Sequence, residues 1–295
     1  MIKVWQFDEF VDSDLPELPY LVDPLIPKFG ITMLHGPAGA GKSALGFHLV
    51  ESLQRGGSFL GQPTVKSNAL YLNLEMPMQG LHYRLKTAGF RPPAYLINHP
   101  PIDMLQQGFQ LTPMYRELRS VVMDLGIDCI VIDNLGTLST QSTGNDDTAR
   151  RSIAMLREWF DDRSVVMIHH NRKMKFNQLT GEWVVSDEDA SGSKYWINSA
   201  VSVLHVKKDN SGMRSLKHTK SQVMKMLDEE LKFVLGADGV GVTLWNPNEK
   251  LAEAEGVLRK KHPDWDQKPE AERVKLLATL LGKSTATIYR WREEK

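Results

Sequence analysis

The chain has 295 residues, room for one large domain and a small one, and its 41% hydrophobic and 24% charged content is that of an ordinary globular protein. Lys plus Arg and Asp plus Glu stand at 36 each, so a nucleic-acid role cannot be read from bulk charge and would have to come from local patches. No run of about 20 apolar residues exists, which predicts no membrane span, and the single cysteine, Cys129, lies in an apolar run and reads as a core residue.

Residues 1–29 form a lead-in punctuated by Pro16, Pro19, Pro24 and Pro27, with no room for a separate domain. The first nine residues lack the uninterrupted apolar core of a secretory leader, and one cysteine allows no internal disulfide. Both points predict a cytoplasmic protein. Residues 30–35 read as a buried strand and 44–50 as a helix. Between them stands Gly36-Pro37-Ala38-Gly39-Ala40-Gly41-Lys42-Ser43, which fits G-x-x-x-x-G-K-[ST]. Glycines in such a loop let backbone N–H groups turn toward phosphate oxygens, and the helix N-terminus adds its positive dipole end. Lys42 is placed to reach the terminal phosphates of a nucleotide and Ser43 to ligate Mg²⁺.

Strands and helices then alternate. Residues 69–74 predict a strand, 80–88 a helix, 94–97 a short strand and 115–125 a helix. Residues 129–132 predict a buried strand, 147–160 a helix and 164–168 another buried strand. The strands are continuous apolar runs, not alternating ones, which fits a mostly parallel sheet covered on both faces and an α/β fold. From residue 200 the pattern becomes strand-rich, over 200–206, 213–219, 231–235 and 240–245, with a hairpin turn at 236–239. Residues 256–295 are locally basic, ten Lys/Arg against six Asp/Glu. They predict two helices, 269–281 and 285–293, broken at Gly282-Lys283, the second capped by Ser284. The expected domains are 1–29, 30–250 and 251–295.

Nucleotide hydrolysis needs a second Mg²⁺ anchor and a group that handles the attacking water. Asp133 ends the strand 129–132 and is the Mg²⁺ anchor candidate at the sheet's C-terminal edge. Glu75 ends the strand 69–74 in Leu72-Asn73-Leu74-Glu75-Met76-Pro77 and is the candidate catalytic base, on a strand expected next to the phosphate loop. Asn134, not a glutamate, follows Asp133, so an acid directly after the anchor is absent. His169-His170-Asn171 follows the strand 164–168, and one of the two histidines is expected to contact the γ-phosphate. Two histidines without further ligands at the right spacing do not make a zinc site.

In this order the motifs resemble the RecA-type ring ATPases, specifically the DnaB/RepA replicative-helicase branch in its short phage and plasmid form. The residues that carry the resemblance are Gly36 to Ser43, Leu74-Glu75-Met76-Pro77, Ile132-Asp133-Asn134-Leu135, His169-His170-Asn171-Arg172-Lys173 and Ala190-Ser191-Gly192-Ser193, within roughly 15–235. The resemblance implies a RecA-like core, ATP with Mg²⁺, and a homo-oligomeric ring, usually a hexamer, acting on single-stranded DNA with other replication proteins. It also implies a basic finger reaching into a neighbour's site. The family often shows Lys-x-Arg there, whereas this chain has Lys220-Ser221-Gln222. Lys220 is the choice, with Lys217 and Arg214 as alternatives. DNA contact is expected from pore loops, at 174–189 with Lys175, Trp183 and the flanking Lys173, or at 139–147. The C-terminal helices resemble a helix-turn-helix, with Ser284, Thr285, Thr287 and Arg290 offered to DNA. Two rivals remain open: a recombinase or annealing ATPase, and a DNA-binding replication regulator that uses ATP as an assembly switch.

Overall fold

The structure is a computed structural model that describes residues 4–14, 20–99, 112–137, 146–160, 162–171, 175–177, 182–184, 194–209, 212–223 and 226–293. The chain divides into two compact units, Met1–Thr243 and Leu244–Lys295.

Among the described residues the central sheet has nine strands: β1 Gly30–Gly36, β2 Ala69–Asn73, β3 Tyr95–Asn98, β4 Cys129–Asp133, β5 Ser164–His170, β6 Ser202–Lys208, β7 Arg214–Ser221, β8 Leu231–Leu235 and β9 Val242–Leu244. Their spatial order is β9-β8-β7-β6-β1-β5-β4-β2-β3. The six strands from β6 to β3 are parallel, and β7 runs antiparallel to both β6 and β8. The helices of this unit include α1 Lys42–Arg55, α2 Met78–Thr87, α3 Pro113–Asp124, α4 Asp146–Trp159 and α5 Lys194–Ser199. This is the α/β architecture with a mostly parallel sheet that the apolar runs predict.

The continuous runs are explained by two cores, one on each face. Alternate residues of a strand point to opposite faces. Ile31, Met33, Ile130, Ile132, Val165 and Met167 join a cluster with Leu118 and Val122 of α3 and Ile153 and Leu156 of α4. Leu34, Tyr71, Val131, Val166 and Ile168 join a second cluster with Leu45, Phe47, Leu49 and Leu53 of α1. Every position of β2 and β4, and all but one end residue of β1 and of β5, is buried, so no polar alternation survives in these runs. Burial of each large aliphatic side chain stabilises the fold by about 1.5–3 kcal/mol. The lead-in is part of this packing: Leu21, Val22, Leu25 and Ile26 are all buried in the α1-side cluster. Cys129 is buried too, as expected, and burial pushes its thiol up to about 12.

α1 approaches the sheet closely at Gly46. A Cβ there would lie 2.9 Å from Tyr71 Cε2, 3.0 Å from Ile168 Cδ1 and 3.2 Å from Val131 Cγ1. The Tyr71 ring cannot yield, because Phe47 packs on it with centroids 4.4 Å apart. Alanine would gain about 1 kcal/mol of helix propensity, but overpacking a filled core costs about 1–3 kcal/mol. Gly46→Ala should therefore lower the thermal unfolding midpoint; a raised midpoint would show that the helix can shift outward.

One sequence expectation is corrected by the strand order. β2, which carries Glu75 just beyond its end, is not next to β1; β5 and β4 lie between them. Strand adjacency is set by crossover connections, which the local pattern does not encode.

The second unit has three α-helices among its described residues, α6 Pro247–Lys261, α7 Glu270–Leu281 and α8 Thr285–Glu293. Its core joins Leu251, Ala254 and Leu258 of α6 to Trp265, Val274, Leu277, Ile288 and Trp291. Gly282 ends α7 at φ 62°, a left-handed conformation that glycine takes without strain. Ser284 Oγ accepts the Thr287 N–H at 3.1 Å and so caps α8. Among the described residues no helix is long and apolar enough to cross a membrane.

Candidate active site

The register of the parallel strands aligns Gly36 with His170 and Asn73 with Asp133, so β1, β5, β4 and β2 end together at one edge of the sheet. Open α/β sheets bind ligands at that edge. A cleft of ≈ 530 Å³ lies there, lined by the loop after β1, Glu75, Asp133, His170 and, from other elements, Arg84, Leu235 and Gly239.

The loop 37–41 joins β1 to α1. Gly39 and Gly41 take φ values of 74° and 100°, which lets the chain curl with its amides turned inward. A Cβ at Gly36 would collide with the Val206 carbonyl. Gly41 is the N-cap of α1, so the loop delivers the open N–H groups of the first helical turn to the cleft.

Lys42 is buried, and its Nζ donates to the carbonyls of Gly36 and Pro37, both at 2.8 Å. Burial pushes its ammonium down to about 8, against the pull of Asp133 and Glu75. Lys42 Nζ also lies 3.3 Å from His170 Nδ1. An ammonium only donates, so this Nδ1 accepts and a neutral His170 carries its proton on Nε2. That nitrogen faces Glu75 Oε1 at 3.6 Å. The other Glu75 oxygen accepts from Asn134 Nδ2. The His170 imidazole foremost, then Asn134 and Lys42, hold the Glu75 carboxyl below the usual carboxylate range despite partial burial.

Asp133 is buried at the end of β4. Tyr71 donates its hydroxyl to Asp133 Oδ2 at 2.5 Å. Burial pushes the Asp133 carboxyl up, opposed by Tyr71 and Ser43. Among the described residues Oδ1 is buried without a hydrogen-bond partner. A buried oxygen with open valence, beside a serine and on a residue that lines the cleft, fits the hard oxygen donors that Mg²⁺ takes.

The two histidines are separated by strand alternation. His170 lines the cleft. His169 is buried, in register with His35 and with the Met33–Met167 side of the sheet, away from α1. The residue after His170 is anchored from three sides. Asn171 N–H donates to Gly36 O at 3.1 Å. Its side chain bridges His35 Nδ1 at 2.8 Å and His205 Nε2 at 3.2 Å. The β5 terminus is thereby tied to the phosphate loop.

The three finger candidates sit differently in the fold. Lys220 donates to the carbonyls of Ile197, Asn198 and Ala200 at 2.9, 2.7 and 2.9 Å, which caps the end of α5. A helix C-terminus draws a cation to its open carbonyls, and nothing in a Lys-Ser-Gln string announces that. Arg214 packs against its own chain's phosphate loop: a Gly41 Cβ would lie 3.4 Å from its Cδ and Nε. Lys217 is exposed. Lys173 lies outside the described residues, as does most of 139–147. Lys175 and Trp183 fall in a two-stranded antiparallel ladder, Lys175–Asn177 with Glu182–Val184. In the second unit Thr285 and Arg290 are exposed, whereas the Thr287 hydroxyl lies 2.9 Å from Ser284 Oγ.

Several site residues were not foreseen. Asn134 was read as the absence of an acid and as part of the resemblance, not as a partner of Glu75, yet it holds that carboxylate. Arg84 of α2 donates to the Gly239 carbonyl and so ties α2 to the hairpin 236–241 at the cleft. That hairpin is closed by Asp238 Oδ1, which accepts from Val240 and Gly241 N–H at 2.8 Å each. No spacing rule connects Arg84 to a turn 155 residues away.

The family model of the AAA domain matches residues 1–175. The match takes in the phosphate loop, Glu75, Asp133 and His170, and ends before β6 to β9. No curated protein matches the chain.

Proposed function

The chain belongs to the AAA-domain family of P-loop ATPases, and on that premise we propose that it is an ATP-driven DNA motor, a ring-forming replicative helicase that translocates on single-stranded DNA. The observation that carries the proposal is the clamp on Glu75, held by Asn134 and His170 across the cleft from Lys42. It supplies an anionic water-orienting group from the end of β2, where the resemblance to the DnaB/RepA branch places it.

ATP would lie in the loop 36–43 with its phosphates on the backbone amides. Lys42 would exchange its two carbonyl partners for terminal phosphate oxygens. Ser43 and Asp133 are the residues that would hold Mg²⁺, which when bound neutralises charge on the phosphates. Glu75 would accept a hydrogen bond from the attacking water and aim it at the γ-phosphorus. The transition state of phosphoryl transfer is loose, so orientation matters more than early deprotonation. A carboxylate held below its usual range suits that role. Loss of the γ-phosphate would free His170 from it, and Asn171 would carry that change toward 174–189, one of the two segments where DNA contact is proposed. In a ring, Lys217 is the exposed cation of the three candidates and the one offered to a neighbour's site.

The test is ATP hydrolysis with and without single-stranded DNA, followed by strand displacement on a forked duplex. We expect stimulation of about tenfold or more and unwinding that requires ATP. Hydrolysis indifferent to single strands would overturn the motor. Filaments on DNA without unwinding would favour a recombinase, and a footprint at one sequence that depends on Arg290 would favour a regulator.

A further inference from the structure

We propose that Tyr71 is a positioning residue for the metal-anchoring carboxylate: its hydroxyl fixes Asp133 through Oδ2 and leaves Oδ1 for the metal shell. The inference rests on the assignment of Asp133 as Mg²⁺ anchor. Tyr71 stands in β2 in register with Val131, two residues before Asp133 on the neighbouring β4. Side chains two apart share a face, so the long phenol runs along the α1 side of β4 and ends at the carboxylate, 2.5 Å from Oδ2.

The ring has no freedom to leave. It is fully buried, Phe47 packs on it, and α1 offers only the bare backbone of Gly46 beside Cε2. A buried phenol needs a partner for its O–H, and this one has a single hydrogen to give. With Oδ2 occupied, Oδ1 is the carboxylate oxygen left buried without a hydrogen-bond partner among the described residues. Phenylalanine would fill the same space, so the hydroxyl is needed for what it does to Asp133. Outer groups that orient a metal-holding carboxylate commonly matter by about 10–100-fold in metal affinity.

The experiment uses the full chain and a fluorescent, slowly hydrolysed ATP analogue, titrated in EDTA and then against Mg²⁺. Tyr71→Phe should bind the analogue in EDTA within about twofold of wild type and should need about tenfold more Mg²⁺ for the metal-dependent gain. Mn²⁺ binding followed by electron paramagnetic resonance should weaken to match. Tyr71→Phe combined with Asp133→Asn should behave as Asp133→Asn alone, because the hydroxyl acts through that carboxylate. An unmoved Mg²⁺ midpoint in Tyr71→Phe, where Asp133→Asn does move it, overturns the inference alone. Additive effects overturn it as well. If Asp133→Asn leaves the midpoint unchanged, the anchor assignment itself falls. Should Tyr71→Phe fail to fold, 3,5-difluorotyrosine at position 71 keeps ring and hydroxyl. As a stronger donor it should shift the Mg²⁺ midpoint by more than twofold, and no shift overturns the inference.

Discussion

Replacing Glu75 with Gln should slow ATP hydrolysis by about 10²–10³-fold while ATP affinity stays within about threefold. Glutamine keeps the size of the side chain and one oxygen that Asn134 can still meet. It removes the charge that faces the attacking water. The loss should therefore fall on the chemical step, visible in a single-turnover measurement with enzyme in excess. The pH profile follows from the same clamp. His170 and Asn134 hold the Glu75 carboxyl below the usual carboxylate range, so the group is anionic throughout neutral pH. The wild-type rate should show no acid limb from Glu75 between about pH 6 and 8, where a base poised near neutrality would show one. If Glu75→Gln instead weakened ATP binding and left the turnover rate intact, Glu75 would be a binding residue and the hydrolytic assignment would fail.

The phosphate loop was legible because its chemistry is local: eight consecutive residues and the strand and helix that flank them. The two-faced burial of β1, β4 and β5 was legible for a related reason, since a strand that needs no polar side shows none. Choosing between His169 and His170 required the phase of β5. A fully apolar strand conceals its phase, because both faces look alike. The capping contacts of Lys220 were not legible because a capping lysine and an exposed one are the same letter; its three carbonyls come from the end of α5 and the residue after it. α6 was missed although Leu251, Ala254 and Leu258 sit at helical spacing, because their neighbours are small and charged and the apolar stripe is thin. Tyr71, Asn134 and Arg84 act on partners brought from other strands, helices and turns. Such contacts follow from strand order, which crossovers decide and short-range patterns do not.

Lys42→Ala should weaken ATP binding by about 10²-fold or more, since cutting one partner from a buried charge pair commonly costs 2–5 kcal/mol. The burial of Lys42 explains why so much depends on one ammonium. Lys42 is 5% exposed and donates to two neutral carbonyls that cannot balance its charge. Burial lowers its pKa to about 8 from 10.5. A cation whose folded pKa lies below its unfolded value opposes folding. That penalty is complete below about pH 8 and fades as pH rises toward 10.5. Removal of the ammonium should thus leave the thermal midpoint of the empty chain at pH 7 unchanged or raised. The same charge is what triphosphate repays, and phosphate oxygens should draw the pKa back up. ATP binding near pH 9 should then take up protons, and near pH 7 Lys42 should take up none. Calorimetry in two buffers of different ionisation enthalpy measures this, and the pH 9 uptake should vanish in Lys42→Ala. A variant that kept its affinity, or lost it together with a lowered thermal midpoint, would mean that Lys42 supports the loop and does not hold the nucleotide.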